Sequence, residues 1–211
     1  MAYRSIIALG RQFGSGGREI GALLAKKMGV PFYDRELIAL AAQKSGISPE
    51  VFANIDETAT NSLLYALSTG AYMFSHHFSP SSDLPLNDKL YVLQNDLIND
   101  VVKDGACVIV GRCADYILKD DPNLISVFIH APTEVRVRRI AEKENISDTK
   151  ARERILKTDK KRANYYNFYT DKVWGDISNY EISLDSSRLG PEGTAEILLK
   201  YVEAKEAARS K

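Results

Sequence analysis

The sequence predicts an α/β fold with a parallel central sheet and helices on both of its faces, and three observations predict it. The run Ile6-Ile7-Ala8-Leu9 reads as a buried strand that feeds a glycine-rich turn and then a segment of helical periodicity, Glu19 to Met28. A short extended segment, Gly29 to Asp34, follows, and helical patterning resumes at Arg35, so the chain opens strand, helix, strand, helix. Two later runs, Ala106-Cys107-Val108-Ile109-Val110 and Leu124 to His130, lack polar alternation, as strands covered on both faces do.

The first turn carries the chemistry. Gly10, Gly14, Gly16 and Gly17 let the backbone curl its N–H groups inward, and the first turn of the helix adds unpaired donors and the positive end of its dipole. Phosphate oxygens suit such a cup; the competing reading is a tight packing turn without a ligand. The pattern is near the phosphate-loop consensus G-x-x-x-x-G-K-[ST], but Gly17 stands at the lysine position and Glu19 near the hydroxyl position. Arg18 and Arg11 are the nearest cations that can meet β and γ phosphates with paired hydrogen bonds. Asp34 and Arg35 sit where the second strand gives way to a helix, at the strand end where open α/β sheets place ligands.

The second helix runs from Arg35 to Ala42 and is ended by Ser45-Gly46. Ser48-Pro49-Glu50 starts another by cap and first-turn proline. The stretch from Asp56 to Pro85 reads as a helical insertion ending in a Ser- and Pro-rich loop. Its His76-His77 pair reads as surface: neighbours on a helix point in different directions and no carboxylate lies at helical spacing, so no metal site is expected. Leu86 to Lys103 is an amphipathic helix with Leu90, Leu93, Leu97 and Val101 on one stripe. Gly105 turns the chain into the next buried strand, which ends at Gly111-Arg112, and a short helix, Ala114 to Lys119, precedes the strand at 124–130.

From Pro132-Thr133-Glu134 to Arg162 the chain is basic, with eleven Lys or Arg against six Asp or Glu on two helical segments divided at Asn145-Ile146-Ser147-Asp148. A charged helix pair is ordinarily a solvated face; this one matters if a polyanion must be closed over. The aromatic continuation at 165–169 reads as lid packing or a dimer contact. Asn179 to Leu184 is the last strand and Pro191 to Ala208 a closing helix.

Composition narrows the function. At 211 residues the chain can bury a full core. Lys+Arg and Asp+Glu are both 28, so no global field points to a nucleic acid or an anionic membrane. Two cysteines, Cys107 and Cys113, are too few for a disulfide framework or a zinc site, and no apolar run approaches a membrane span. The expectation is a cytoplasmic protein with reduced thiols.

Taken together, Gly10 to Gly21, Phe32-Tyr33-Asp34-Arg35-Glu36-Leu37-Ile38, Val110-Gly111-Arg112, Arg138-Arg139 and Asp159-Lys160-Lys161-Arg162 resemble, in order along nearly the whole chain, the cytidylate kinase-like branch of the P-loop nucleoside monophosphate kinases. The resemblance implies a three-layer α/β/α core (1–46, 104–145 and 176–211), a helical acceptor lobe at about 47–103 and a helical lid at about 146–175. It implies transfer of the γ-phosphoryl of ATP, with Mg²⁺, to CMP, dCMP or a related acceptor. The matching positions are Gly14, Ser15, Gly16, Gly17, Arg18 and Glu19 in the phosphate loop, Asp34 and Arg35 by the acceptor, Arg112 on the acceptor phosphate, and Asp159 and Arg162 at lid positions that reach the acceptor sugar and the transferring phosphate. The chain departs from the pattern at Gly17, at Cys113 where an aspartate follows Gly-Arg, and near Ile155 where the first lid arginine falls; Arg11, Asp115 and Arg154 are the candidate compensations. Two other readings stand beside it: a nucleotide-binding regulatory or interaction protein weakened by loss of the lysine, and a kinase of a non-nucleotide metabolite. No RNA motif accompanies the basic hairpin.

Overall fold

The strands are β1 (Ile6–Arg11), β2 (Phe32–Tyr33), β3 (Cys107–Val110), β4 (Leu124–His130) and β5 (Ile182–Asp185). They form a parallel sheet in the order β2-β3-β1-β4-β5, with β1 in the middle and Ile6 opposite both Cys107 and Leu124. The computed structural model describes residues 3–34 and 86–209. The expected helices from Arg35 and Ser48, the 56–85 insertion with His76-His77, and Arg35 itself lie outside the described residues.

Alternation along β1 sends its side chains to two different cores. Ile7 and Leu9 meet α1 (Gly17–Met28) through Ile20 and Leu24, joined there by Leu198 and Val202 of the C-terminal helix. Ile6 and Ala8 face the opposite layer, against Leu97 and Ile98 of α2 (Leu86–Val101) and Ala114 of α3 (Ala114–Ile117). The three-layer α/β/α architecture follows, as the sequence predicts. β2 is shorter than expected because Gly29 and Val30 are used to end α1: their N–H groups donate back to Lys26 O and Ala25 O, and Gly29 takes the left-handed conformation of a helix stop. The last strand starts later than expected because Ile177–Asn179 form a 3₁₀ turn whose Ser178 N–H donates to Asp176.

The basic stretch is the helical hairpin of α4 (Thr133–Glu144) and α5 (Asp148–Thr170), closed by a left-handed Asn145 and an N-cap in which Ser147 Oγ accepts from Lys150 N. Val137 and Ile140 on one helix pack against Ala151 and Ile155 on the other, with Phe13 of the first turn resting on them. Most of the eleven cations are solvated, and the pairs Arg152–Glu134 and Arg154–Glu144 lie on that outer surface. Arg136, Arg139 and Arg162 turn inward. The aromatic run packs within the chain: Tyr169 stacks on Tyr91 of α2 with centroids 4.1 Å apart, and Tyr165 and Tyr169 donate to Gln94 and Asp88.

The closing helix α6 (Gly190–Arg209) is tied to the start of β1, where Glu206 accepts from the backbone of Arg4 and Ser5 and from the Ser5 hydroxyl. Among the described residues no helix is long and apolar enough to cross a membrane.

Ile155 is fully buried in the hairpin that carries Asp159 and Arg162. Ile155→Ala is expected to lower the unfolding free energy by about 2–5 kcal/mol in urea titrations, as loss of buried aliphatic volume does.

Candidate active site

The turn between β1 and α1 is held open by other parts of the chain. Gly14 and Gly16 have φ of +79° and +80°, in the left-handed region where a side chain is strained. Ser15 Oγ donates to Gln12 O at 2.8 Å, and Ala131 N donates to Gln12 Oε1 at 3.2 Å. From α4, Arg136 Nη1 donates to Phe13 O at 3.2 Å, and Arg139 Nη1 donates to Ser15 O at 3.0 Å. Ser186, directly after β5, donates its hydroxyl to Ser15 O and accepts from Arg139. From α5, Arg162 Nη1 donates to Arg11 O at 3.2 Å, while Asp159 Oδ1 accepts the Phe13 N–H at 2.7 Å and Oδ2 pairs with Arg136 at 2.5 Å.

The carbonyls of Arg11, Gln12, Phe13 and Ser15 are thus engaged by donors from elsewhere. The amides of Gly14, Gly16, Arg18 and Glu19, by contrast, have no acceptor among the described residues. The first turn of α1 adds its dipole to these donors, and the product is a site that favours an anion with several acceptor oxygens.

A small cleft opens beside this loop, at the carboxyl ends of β1 and β3 and beneath α5. Arg11, Arg112 and Arg162 line it with Tyr165, Tyr166, Tyr180 and Trp174. Arg112 is only 8% exposed. It sits in a turn of three successive left-handed residues, Gly111, Arg112 and Cys113, with φ of 78°, 64° and 55°. For Arg112 and Cys113 that conformation costs on the order of 1–3 kcal/mol each, a cost met where surrounding structure imposes it. Burial, and next the nearby Arg11, push the Arg112 guanidinium down to about 10, with Arg162 acting the same way and Tyr165 and Asp34 opposing. It stays charged at neutral pH.

Asp34, at the end of β2 and 3% exposed, receives Arg18 Nε at 2.5 Å, while the Arg18 side chain remains two-thirds exposed. Asp115, half-buried, also lines the cleft and accepts from Tyr166 Oη at 2.7 Å. Burial holds its carboxyl above the usual range against the pull of that hydrogen bond, and burial and Asp115 together raise the Tyr166 phenol. Cys107 and Cys113 are free, buried thiols raised by burial, which makes them poor nucleophiles.

The structure therefore brings together Gly14, Ser15, Gly16, Gly17, Arg18 and Glu19 in one turn, and Arg11, Arg112 and Arg162 in the adjoining cleft. Asp159 faces the loop and Arg136. Arg154, a candidate compensation, is paired with Glu144 at 2.8 Å on the hairpin surface. Sequence reasoning passed over Gln12 and Ser186 and gave Arg136 and Arg139 no loop role. The i, i+3 spacing of the two arginines on a helix with one buried face was the available signal; Ser186 offered none. Among the described residues no group of three His, Cys, Asp or Glu side chains could hold a metal ion.

The model of the cytidylate kinase-like family matches residues 6–188. A cytidylate kinase from Methanosarcina barkeri is 30% identical over 180 residues, covering 83% of each chain. A solved structure of an uncharacterized protein from Eubacterium ventriosum is 27% identical with a TM-score of 0.70, covering 95% of this chain and 99% of that one. The shikimate kinase from Bacteroides thetaiotaomicron shares the fold at 16% identity, with a TM-score of 0.52 over 95% of this chain and 99% of its own.

The half-buried Asp115 sets a pH test. A carboxyl raised in the folded state contributes stability at low pH that is lost as pH rises through its folded value. Tyr166→Phe removes the opposing hydrogen bond, so it is expected to destabilise the protein by about 1–3 kcal/mol at pH 7 and by less at pH 4. Denaturant titrations of both proteins at the two pH values check this; an equal loss at both would contradict it.

Proposed function

The chain belongs to the cytidylate kinase-like family, and from that premise we propose that it transfers the terminal phosphoryl group of ATP to a nucleoside monophosphate of the CMP or dCMP type. The observation that carries the reading is the adjacency of the amide-lined loop to a cleft holding Arg11, Arg112 and Arg162. Phosphoryl transfer asks the protein to align two phosphates and to place positive charge on the moving group, and it needs no protein nucleophile.

In this reading the amides of Gly14, Gly16, Arg18 and Glu19, with the fold of Ser15 and Gly17 between them, hold the donor β and γ phosphates. Arg112 grips the acceptor phosphate and sets its oxygen in line with the γ phosphorus. Asp34 and Arg35 serve the acceptor side, Asp34 through the Arg18 pair that links it to the loop. Arg162 and Arg11 face the transferring group, and Arg18 adds charge at the loop. Asp159 acts as a positioning residue by fixing the Phe13 amide. Cover by α5 and the tyrosines excludes water and so disfavours hydrolysis.

The residues present fit bound ATP, since the loop offers donors while the carbonyls of Arg11, Gln12, Phe13 and Ser15 are engaged elsewhere. Among the described residues no carboxylate cage for Mg²⁺ is present, and exposed Glu19 is the carboxylate nearest the consensus hydroxyl position, where it would face an ion that keeps most of its waters. When bound, Mg²⁺ neutralises charge on the β and γ oxygens.

Gly17 at the lysine position favours one second reading, nucleotide binding without efficient turnover. Titration with ATP·Mg²⁺ alongside ADP-release assays across CMP, dCMP, UMP, AMP and non-nucleotide alcohols separates the two, because binding without turnover for every acceptor supports the second.

Arg112→Ala is expected to lower kcat/KM for the acceptor about 10²–10³-fold, the scale of losing one preorganised charge donor, and to leave the ATP dissociation constant within about threefold. Unchanged acceptor kinetics would show that Arg112 does not bind the acceptor.

A further inference from the structure

We infer that the Arg11 guanidinium takes the place of the missing loop lysine on the β and γ phosphates, and that Gly17 is a glycine because the stem of the Arg11 side chain runs where its side chain would be. The inference rests on the phosphoryl-transfer reading and names the group that completes the donor site.

The lysine position is physically filled. A Cβ built on Gly17 would lie 2.5 Å from Arg11 Cβ, 3.1 Å from Arg11 Cγ and 3.3 Å from Ile129 Cβ. Those neighbours are the stem of one side chain and the branch point of another, fully buried one, so neither can swing aside as the tip of a flexible chain could. Gly17 also has an ordinary helical backbone, outside the left-handed set, so room decides this position and conformation does not. Farther along, a Cβ on Gly111, whose left-handed backbone already favours glycine, would press against Arg11 Nη1 and fall 3.3 Å from Cζ. Arg11 therefore leaves the end of β1, crosses the first residue of α1 and lays its guanidinium over the end of β3.

Among the described residues, three further arginines near the loop have partners that hold them in other places. Arg18 is on Asp34 and mostly in solvent, Arg139 is on Ser15 and Ser186, and Arg136 is on Asp159 and Phe13. Arg112 lies deeper in the cleft, where burial and Arg11 both disfavour its charge, which places the two guanidinium groups near each other. Like charges held together in a partly buried cleft are tolerated best when an anion sits between them. Arg162 fixes the Arg11 carbonyl from above, so the base of the crossing side chain is pinned. A planar guanidinium with several donors can span two phosphate oxygens, which a single ammonium does not do.

The test pairs Arg11→Ala with the double variant Arg11→Gly/Gly17→Lys, in which the Cβ that crowds position 17 is gone as well, titrated with ADP·Mg²⁺ and with AMP and assayed for turnover. Arg11→Ala is expected to weaken ADP·Mg²⁺ binding at least tenfold while AMP binding stays within twofold, because the cation faces the phosphates beyond the first. The double variant is expected to recover ADP binding to within threefold of the original, the lysine now having space. Gly17→Ala is expected to lower Tm in the presence of Arg11 and to lower it much less in an Arg11→Gly background, where the Cβ it would meet is absent, a readout that needs no nucleotide. Arg11→Ala binding ADP as tightly as the original, in a protein that turns over, overturns the inference and leaves the kinase reading intact. Loss of ADP discrimination in Arg11→Ala, in a protein without turnover for any acceptor, does the reverse.

Discussion

The site depends on where the carbonyls of one turn go. A backbone segment carries as many acceptors as donors, and a loop can present donors to an anion only if its own C=O groups are satisfied by something else. Here the carbonyls of Arg11, Gln12, Phe13 and Ser15 are met by Arg162, Ser15 Oγ, Arg136, Arg139 and Ser186, drawn from α5, the loop itself, α4 and the segment after β5. The hairpin is the main supplier. Its apolar seam of Val137, Ile140, Ala151 and Ile155 exists so that one edge can hold Arg136, Arg139, Asp159 and Arg162 against the turn. A mutation in that seam therefore acts on the phosphate loop through stability and position together.

The same logic explains the strained turn after β3. A run of Gly111, Arg112 and Cys113 in left-handed conformation is unfavourable for the two residues with side chains, and it persists because β3 is buried on both faces and Asp115 is anchored by Tyr166 just beyond it. The turn puts a buried arginine at a strand end in a cleft whose other walls are aromatic. Burying that charge is costly, and the nearby Asp34 and Tyr165 offset only part of the cost, which leaves the cleft poised for an anionic ligand.

Much of this was legible in the sequence because it rests on local rules. Uninterrupted apolar runs gave β1, β3 and β4, and the glycine spacing with the following helix gave the loop. The family motifs gave Arg112 and Arg162. What the sequence did not reveal depends on tertiary choices. Arg138 and Arg139 are adjacent and chemically identical, yet only Arg139 reaches Ser15, because the helix face set by Val137 and Ile140 turns it inward. β2 was overestimated because stopping α1 uses Gly29 and Val30, and Ser186 has no signature outside the fold. The role of Gly17 was visible only as a departure; its neighbour Arg11 gives the departure a physical reason.

The central claim is that a turn stripped of its carbonyls receives the donor polyphosphate. A crystal structure of the protein with ADP and Mg²⁺ tests it most directly. The account predicts the β phosphate within hydrogen-bond distance of the Gly14, Gly16, Arg18 and Glu19 amides, with the Arg136, Arg139 and Ser186 contacts to the turn unchanged. ADP bound away from the turn, or a turn that had flipped its carbonyls inward, would contradict it.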